Sequence, residues 1–234
     1  MTFEEIRKVI LILLEYLAPT LKVFGFTLLY AIPLGMIVAL LKMCKIKPIS
    51  WITNLYILVM RGTPLMLQII VAYYAIPMLK QAQNLPGFLA GFLARINIQD
   101  ENFMFNAVLF AFVFNYAAYF AEIFRGGIES IPTGQYEAAA ALSMTKIQTF
   151  FRIILPQVIK RVVPASSNEI ITLVKDTSLA RVIGIYEIIW AGESFIKKGL
   201  IWPLFYTGAF YLIFSGLLTI LFAKLEQKLD YFRG

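Results

Sequence analysis

Five runs of apolar residues, each long enough to cross a lipid bilayer, constrain this chain more than any other feature. A helix needs about 20 mostly apolar residues to span roughly 30 Å of hydrocarbon. Such runs extend from Tyr16 to Met43, Trp51 to Leu79, Phe103 to Phe124, Pro156 to Val174 and Pro203 to Ala223, the fourth being the least apolar. Over 234 residues, 60% are hydrophobic and only 15% charged, whereas soluble domains carry about 25% charged residues. The pattern predicts an all-α membrane protein with five transmembrane helices over residues 16–225, in one domain covering 1–234. Ahead of them, Phe3, Ile6, Ile10, Leu13 and Leu14 share one helical stripe, with Glu4, Glu5, Arg7 and Lys8 elsewhere. Residues 1–15 therefore predict an interfacial amphipathic helix leading into the first span. Glu4 and Glu5 spoil the basic start of a signal peptide, and no small-x-small cleavage site follows.

Charge sets an expected orientation. Lys42, Lys45 and Lys47 follow the first span; Arg125, Lys146, Arg152, Lys160 and Arg161 lie between the third and fourth; Lys224, Lys228 and Arg233 follow the fifth. Basic loops stay cytoplasmic, so the expectation is a multi-pass membrane protein, N-terminus outside and C-terminus inside. The net charge of +7 then faces anionic lipid rather than nucleic acid. The chain has no histidine and one cysteine, Cys44, which removes imidazole catalysis, internal disulfides and Cys/His metal clusters.

Three ionisable groups fall where lipid would make them expensive, by about 2.5–3.5 kcal/mol on the lenient insertion scale. Arg61 lies mid-span within Met60-Arg61-Gly62-Thr63-Pro64. Pro64 has no N–H to offer the carbonyl of Met60, so a kink or break is expected there, a common way of building a substrate site. Glu122 shares the spacing i, i+4, i+7 with Asn115 and Tyr119, on one face of the third span. Glu169 stands beside Asn168, with Thr172, Lys175 and Asp176 following. These polar stripes face each other or water. Either Arg61 pairs with Glu122 or Glu169 and fixes the bundle, or the groups line a substrate pathway.

Between the third and fourth spans, Pro132 and Gly134 break the chain before a strong helix-forming run from Glu137 to Leu142. A short exposed helix is expected over residues 134–146, which physics alone reads equally as a plug for a partner's groove or a simple connector. This segment resembles the EAA coupling loop of permease subunits of ATP-binding cassette (ABC) importers, with Glu137-Ala138-Ala139, Ser143 in the glycine place, and Ile153-Ile154-Leu155-Pro156. More narrowly, the chain resembles polar amino-acid permeases of the histidine/glutamine family. Matching stretches are Arg61-Gly62-Thr63-Pro64-Leu65 with Gln68, the run from Ala118 to Ile128, Gly134-Gln135-Tyr136-Glu137-Ala138-Ala139, Leu155-Pro156-Gln157, and Asn168-Glu169 followed by Lys175-Asp176-Thr177-Ser178-Leu179. There are two departures: Ser143 replaces a glycine, and Pro164-Ala165-Ser166-Ser167-Asn168 lacks a glycine before Asn168.

The resemblance implies a type I ABC importer permease fold, a second permease copy or related subunit, a pair of cytoplasmic ATPase subunits, and an extracytoplasmic amino-acid-binding protein. It places ATPase coupling on Gln135, Tyr136, Glu137, Ala138, Ala139, Leu142, Ser143 and Met144. No phosphate-binding loop occurs in the sequence, so ATP and Mg would be used by the partner ATPase, with no cofactor in this chain. The candidate substrate residues are Arg61, Gly62, Thr63, Asn115, Tyr119, Glu122 and Glu169. One base and two acids match a basic amino acid: the α-carboxylate near Arg61 or amides freed at Gly62 and Thr63, the two cations at Glu122 and Glu169. Alternatives are a permease for neutral amino acids such as glutamine, or a scaffold permease with no site of its own. Outside transport they are a membrane enzyme using paired carboxylates, which lacks a nucleophile motif, and a structural or regulatory subunit.

Overall fold

The computed structural model describes residues 3–82, 86–100 and 102–229; Arg233 lies outside them. The described residues form α1 (Phe3–Glu15), α2 (Leu17–Met43), α3 (Lys47–Gly62), α4 (Leu65–Lys80), α5 (Gly87–Ala94), α6 (Phe103–Glu129), α7 (Thr133–Ala141), α8 (Lys146–Thr149), α9 (Leu155–Asp176), α10 (Ile188–Ile196) and α11 (Trp202–Leu229). A π-helical turn, Phe150–Ile154, joins α8 to α9, and a 3₁₀ segment, Thr177–Ile183, follows α9.

The centre of the bundle is the pair α2 and α6. The buried face of α2 is Thr20, Val23, Thr27, Ala31, Gly35, Val38 and Ala39, a stripe of small residues every three or four positions. In lipid no hydrophobic drive joins two helices, so close backbone approach through small residues must do it. Gly35 marks the closest point: a Cβ there would stand 2.7 Å from Phe120 Cβ and 3.0 Å from the Ala117 carbonyl oxygen. On α6 the opposing residues Ala117, Ala118, Phe120 and Ala121 are fully buried. Outward faces stay apolar, with Leu29, Leu40, Trp51, Leu58, Leu212 and Leu217 exposed as lipid contacts require.

Four of the five expected spans are apolar and long enough in the structure. These are the run Phe3–Met43, α6, α11, and α3 with α4, which meet at 109° as one broken span. The break falls at Thr63-Pro64, both in extended conformation, where the proline predicts it. The remaining one, the expected fourth, is α9, a 22-residue helix carrying Lys160, Arg161, Glu169, Lys175 and Asp176. It is too charged to face lipid all round, and it packs between α6 and α11. At the N-terminus, α1 leads directly into α2 in a 41-residue stretch. Its buried residues are Val9 and Leu13, packed on Ile188, Ala191 and Phe195 of α10, while Phe3 and Leu14 are exposed. Part of the apolar stripe of α1 thus packs on α10 and part stays exposed.

The start of α10 carries a residue that sequence reading missed. Glu187 is 1% exposed and caps the helix, accepting from the amides of Ile189 at 2.8 Å and Trp190 at 3.0 Å and from the Tyr211 hydroxyl at 3.3 Å. Burial pushes its carboxyl up from the usual range, against the opposing pull of those two amides.

Candidate functional site

The site is organised by the break between α3 and α4. Pro64 leaves the Met60 carbonyl without its helical donor, and two side chains supply the missing hydrogen bonds. Asn115 Nδ2 and Gln68 Nε2 each donate to Met60 O at 2.9 Å, and Asn115 Nδ2 also donates to Gln68 Oε1 at 3.0 Å. Gln68 Nε2 reaches Thr63 Oγ1 at 2.8 Å, and Thr63 Oγ1 donates to Val59 O at 2.8 Å. Gln68 was legible in sequence only as part of the family resemblance. Its signal is positional: helical side chains lean toward the N-terminus, so a polar residue one turn into α4 falls back on the break.

The expected site residues are divided between two cavities. A cavity of about 450 Å³ is lined by Thr63, Pro64, Leu65, Asn115, Tyr119, Glu169, Thr172 and Asp176, among others. Asp176 accepts from the buried Tyr116 hydroxyl at 2.7 Å. The first turn of α4 opens here with no side-chain cap, so its leading amides carry the positive end of the helix dipole. Gly62 still belongs to α3, with Thr63 as its extended cap.

A second cavity, about 500 Å³, is lined by Lys42, Asn54, Arg61, Gly62 and Glu122. Here the structure brings Arg61 and Glu122 together, as the bundle-fixing alternative expects. Glu122 is the hub: Lys42 Nζ pairs with Oε1, Arg125 Nη2 lies 2.8 Å from Oε2, and Arg61 Nη1 lies 4.0 Å from Oε2. Lys42 was read only as a basic flank of the first span, yet it closes back on the third. The single stripe expected for Asn115, Tyr119 and Glu122 is thus split. On a helix, i+4 and i+7 lie about 60° apart around the axis, enough to turn Tyr119 and Glu122 into different cavities. Arg61 stands between them, its guanidinium 5.2 Å from the centroid of the Tyr119 ring.

At the far end, α6 passes through Ser130 to Pro132 into α7. The coupling helix therefore begins at Thr133 and ends at Ala141, earlier at both ends than the 134–146 expected. It stops because Ser143 adopts φ 53°. Ser143 N donates to Ala140 O at 2.9 Å and Met144 N to Ala139 O at 3.1 Å, the paired bonds of a Schellman cap, which ordinarily uses glycine. Gln135, Tyr136, Glu137, Ala138 and Leu142 are exposed, while Ala139 is buried against the bundle. Tyr136, Ala140, Met144 and Phe150 line an apolar hollow of about 450 Å³ beside the helix.

Known proteins share this architecture. Residues 31–231 match the family described as binding-protein-dependent transport system inner membrane component. The chain is 33% identical over 221 residues to the arginine transport system permease protein ArtQ of Bacillus subtilis (strain 168), covering 93% of this chain and 92% of that one. It is 33% identical over 205 residues to the L-cystine transport system permease protein TcyB of the same organism, covering 86% and 80%. A putative glutamine transport system permease protein, GlnP of Rickettsia felis (strain ATCC VR-1525 / URRWXCal2), is 28% identical over 222 residues, covering 94% of each. Among solved structures, an amino acid ABC transporter crystallised with histidines superposes with a TM-score of 0.77 at 29% identity, over 97% of this chain and 99% of that one. A methionine ABC transporter in an inward-facing conformation matches at a TM-score of 0.65 and 18% identity, over 98% and 100%, which speaks for the fold. ATP hydrolysis in such transporters belongs to a separate subunit, and this one is not an enzyme. The chain belongs to the binding-protein-dependent transport system inner membrane component family and is a permease subunit of an amino-acid ABC importer.

Proposed function

We propose that this permease imports basic amino acids, arginine, lysine or histidine, and holds them in the cavity between α4, α6 and α9. One observation supports this above the others. The cavity presents Glu169 and Asp176, while Arg61 lines the other one, from where its charge still reaches Glu169. Two carboxylates suit the two cations of a basic amino acid, and the uncapped amides of α4 suit its α-carboxylate. Asn115 and Tyr119 shape the wall, though the Asn115 amide is already committed to the break. Glu122, shared by three cations, passes its expected role as a cation acceptor to Asp176. A binding protein outside would deliver the amino acid, and a second copy of the chain or a related permease would complete the pathway. The exposed face of α7 would dock a pair of cytoplasmic ATPases. ATP closure shifts the bundle only through a difference in ATP affinity between its states.

Uptake of radiolabelled arginine and glutamine into vesicles tests the reading, for the parent and for Glu169→Gln and Glu122→Gln. Arginine should be the better substrate, and Glu169→Gln should lower its uptake at least tenfold. Preferred uptake of glutamine, or full arginine uptake by Glu169→Gln, would overturn the basic reading. Absence of any uptake by a complex with this as its sole permease would favour a scaffold subunit.

A further inference from the structure

A cavity of about 740 Å³, larger than either of those above, lies at the end of the bundle away from α7. The ends are fixed by α2 and α6, which run parallel: Phe26 meets Phe105, a Cβ on Gly35 would meet Phe120, and Lys42 meets Glu122. The starts of both helices therefore share one end, and α7 follows α6 at the other. At the shared start the cavity is lined by Glu15, Tyr16, Lys22, Phe26, Asn102 and Tyr186, among others. Glu15, Lys22 and Asn102 are exposed, and no hydrogen bond or ion pair of their side chains is found among the described residues. One acid, one base and one amide thus line a single cavity with their bonding unspent. Part of the wall is aromatic. Tyr186 stacks on Trp190 with centroids 4.0 Å apart, and Trp190 also meets Tyr16 at 5.3 Å.

The depth of the cavity points to its occupant. Lys22 and Lys42 stand 20 positions apart on α2 with no charged residue between them, about 30 Å of helix and the thickness of a hydrocarbon core. Lys22 therefore marks one headgroup level. Below it Phe26, Leu29, Tyr30 and Ile37 are all exposed and fall within about a third of the helix circumference. From Phe26 to Ile37 that strip covers about 16 Å, the depth of one leaflet. Cargo fits less well, because Val108, Ala111 and Phe112 fill the core along α6 between Met104 at this cavity and Asn115 at the acidic one. We propose that the cavity binds the headgroup of a zwitterionic phospholipid of the phosphatidylethanolamine kind. Lys22 and the Asn102 amide take the phosphate, and Glu15 takes the ammonium beside the rings of Tyr16 and Tyr186. The acyl chains follow the exposed strip of α2. A headgroup with an anion and no cation would leave Glu15 facing phosphate uncompensated. The bound lipid would tie the α1–α2 junction to the start of α6 and to the segment before α10, whichever amino acid is carried.

The test is native mass spectrometry of the complete transporter in detergent, titrated with phosphatidylethanolamine or with phosphatidylglycerol of identical chains. The parent should hold phosphatidylethanolamine about fivefold tighter or more, the worth of one charge contact at a membrane surface. Lys22→Gln should weaken both lipids by a similar factor. Glu15→Gln should weaken phosphatidylethanolamine alone and erase the preference. Both side chains are exposed, so the unfolding temperature of each variant should stay that of the parent, which separates lost binding from lost folding. Phosphatidylglycerol binding to the parent as tightly as phosphatidylethanolamine would overturn the proposal, as would unchanged phosphatidylethanolamine affinity in either variant. Displacement of the lipid by arginine would assign the cavity to cargo and overturn it equally. So would failure to bind either lipid, and cross-linking between copies at Lys22 would then give this face to a second copy of the chain.

Discussion

Removing the two amides that hold the broken helix should reveal a coupled pair. Gln68→Leu deletes three donated bonds, to Met60 O, Thr63 Oγ1 and, at 3.2 Å, Thr63 O, and one accepted from Asn115. At about 0.5–1.5 kcal/mol for each neutral bond, and closer to 0.6 kcal/mol for bonds between membrane helices, the loss is roughly 1–3 kcal/mol. Asn115→Leu deletes two bonds, for about 1–2 kcal/mol. In either single variant Met60 O keeps one donor. The double variant leaves that carbonyl bare, and a buried unsatisfied acceptor costs about 1–3 kcal/mol more; the bond between Asn115 and Gln68, deleted in both singles, is lost only once, so the pair should exceed the sum of the singles by up to about 2 kcal/mol. Thermal unfolding of the detergent-solubilised complex measures all four proteins, and uptake at saturating substrate should fall in the same order. A double variant milder than the sum of the singles would show that water already serves Met60 O, and the clamp would be decorative.

Other expectations follow from single contacts. Gly35→Val should destabilise the bundle by at least about 3 kcal/mol, since even a Cβ meets α6 backbone. Gly25→Ala, with nothing within 4 Å, should stay within about 0.5 kcal/mol by the same thermal assay. Ser143→Gly should stabilise by about 1 kcal/mol and Ser143→Val should destabilise, because φ 53° suits only a residue without a Cβ penalty; assembly with the ATPase reads the consequence. Ala138→Trp and Glu137→Lys, on the exposed face of α7, should abolish substrate-stimulated ATP turnover while membrane insertion is retained. Normal transport by either would remove that face from the docking surface.

Features written in local chemistry were readable from the chain. Pro64 after Arg61-Gly62-Thr63 broke its helix where a missing N–H dictates, and the apolar run ending at Met43 stopped there. Glu137-Ala138-Ala139 lay on a short exposed helix, although its start at Thr133 and its serine-based stop needed backbone angles to see. Long-range partners were not readable. Nothing in the sequence says that Lys42 would reach Glu122 across 80 positions, or that Tyr116 would take Asp176 across 60. Periodicity also placed Tyr119 and Glu122 on one face without saying that a wall could stand between them. Likewise the apolar stripe of the N-terminal helix does not say that Val9 and Leu13 would pack on α10.

The account stands most directly on where the amino acid sits. A cryo-structure of the complete transporter with arginine added locates it. The expected density lies between α4, α6 and α9, with the carboxylate at the first turn of α4 near Leu65 and the guanidinium reaching Glu169 and Asp176. Arginine resting instead with its guanidinium on Glu122, or density confined to a cleft that none of Thr63, Glu169 or Asp176 touches, would contradict the assignment of the acidic cavity as the substrate site.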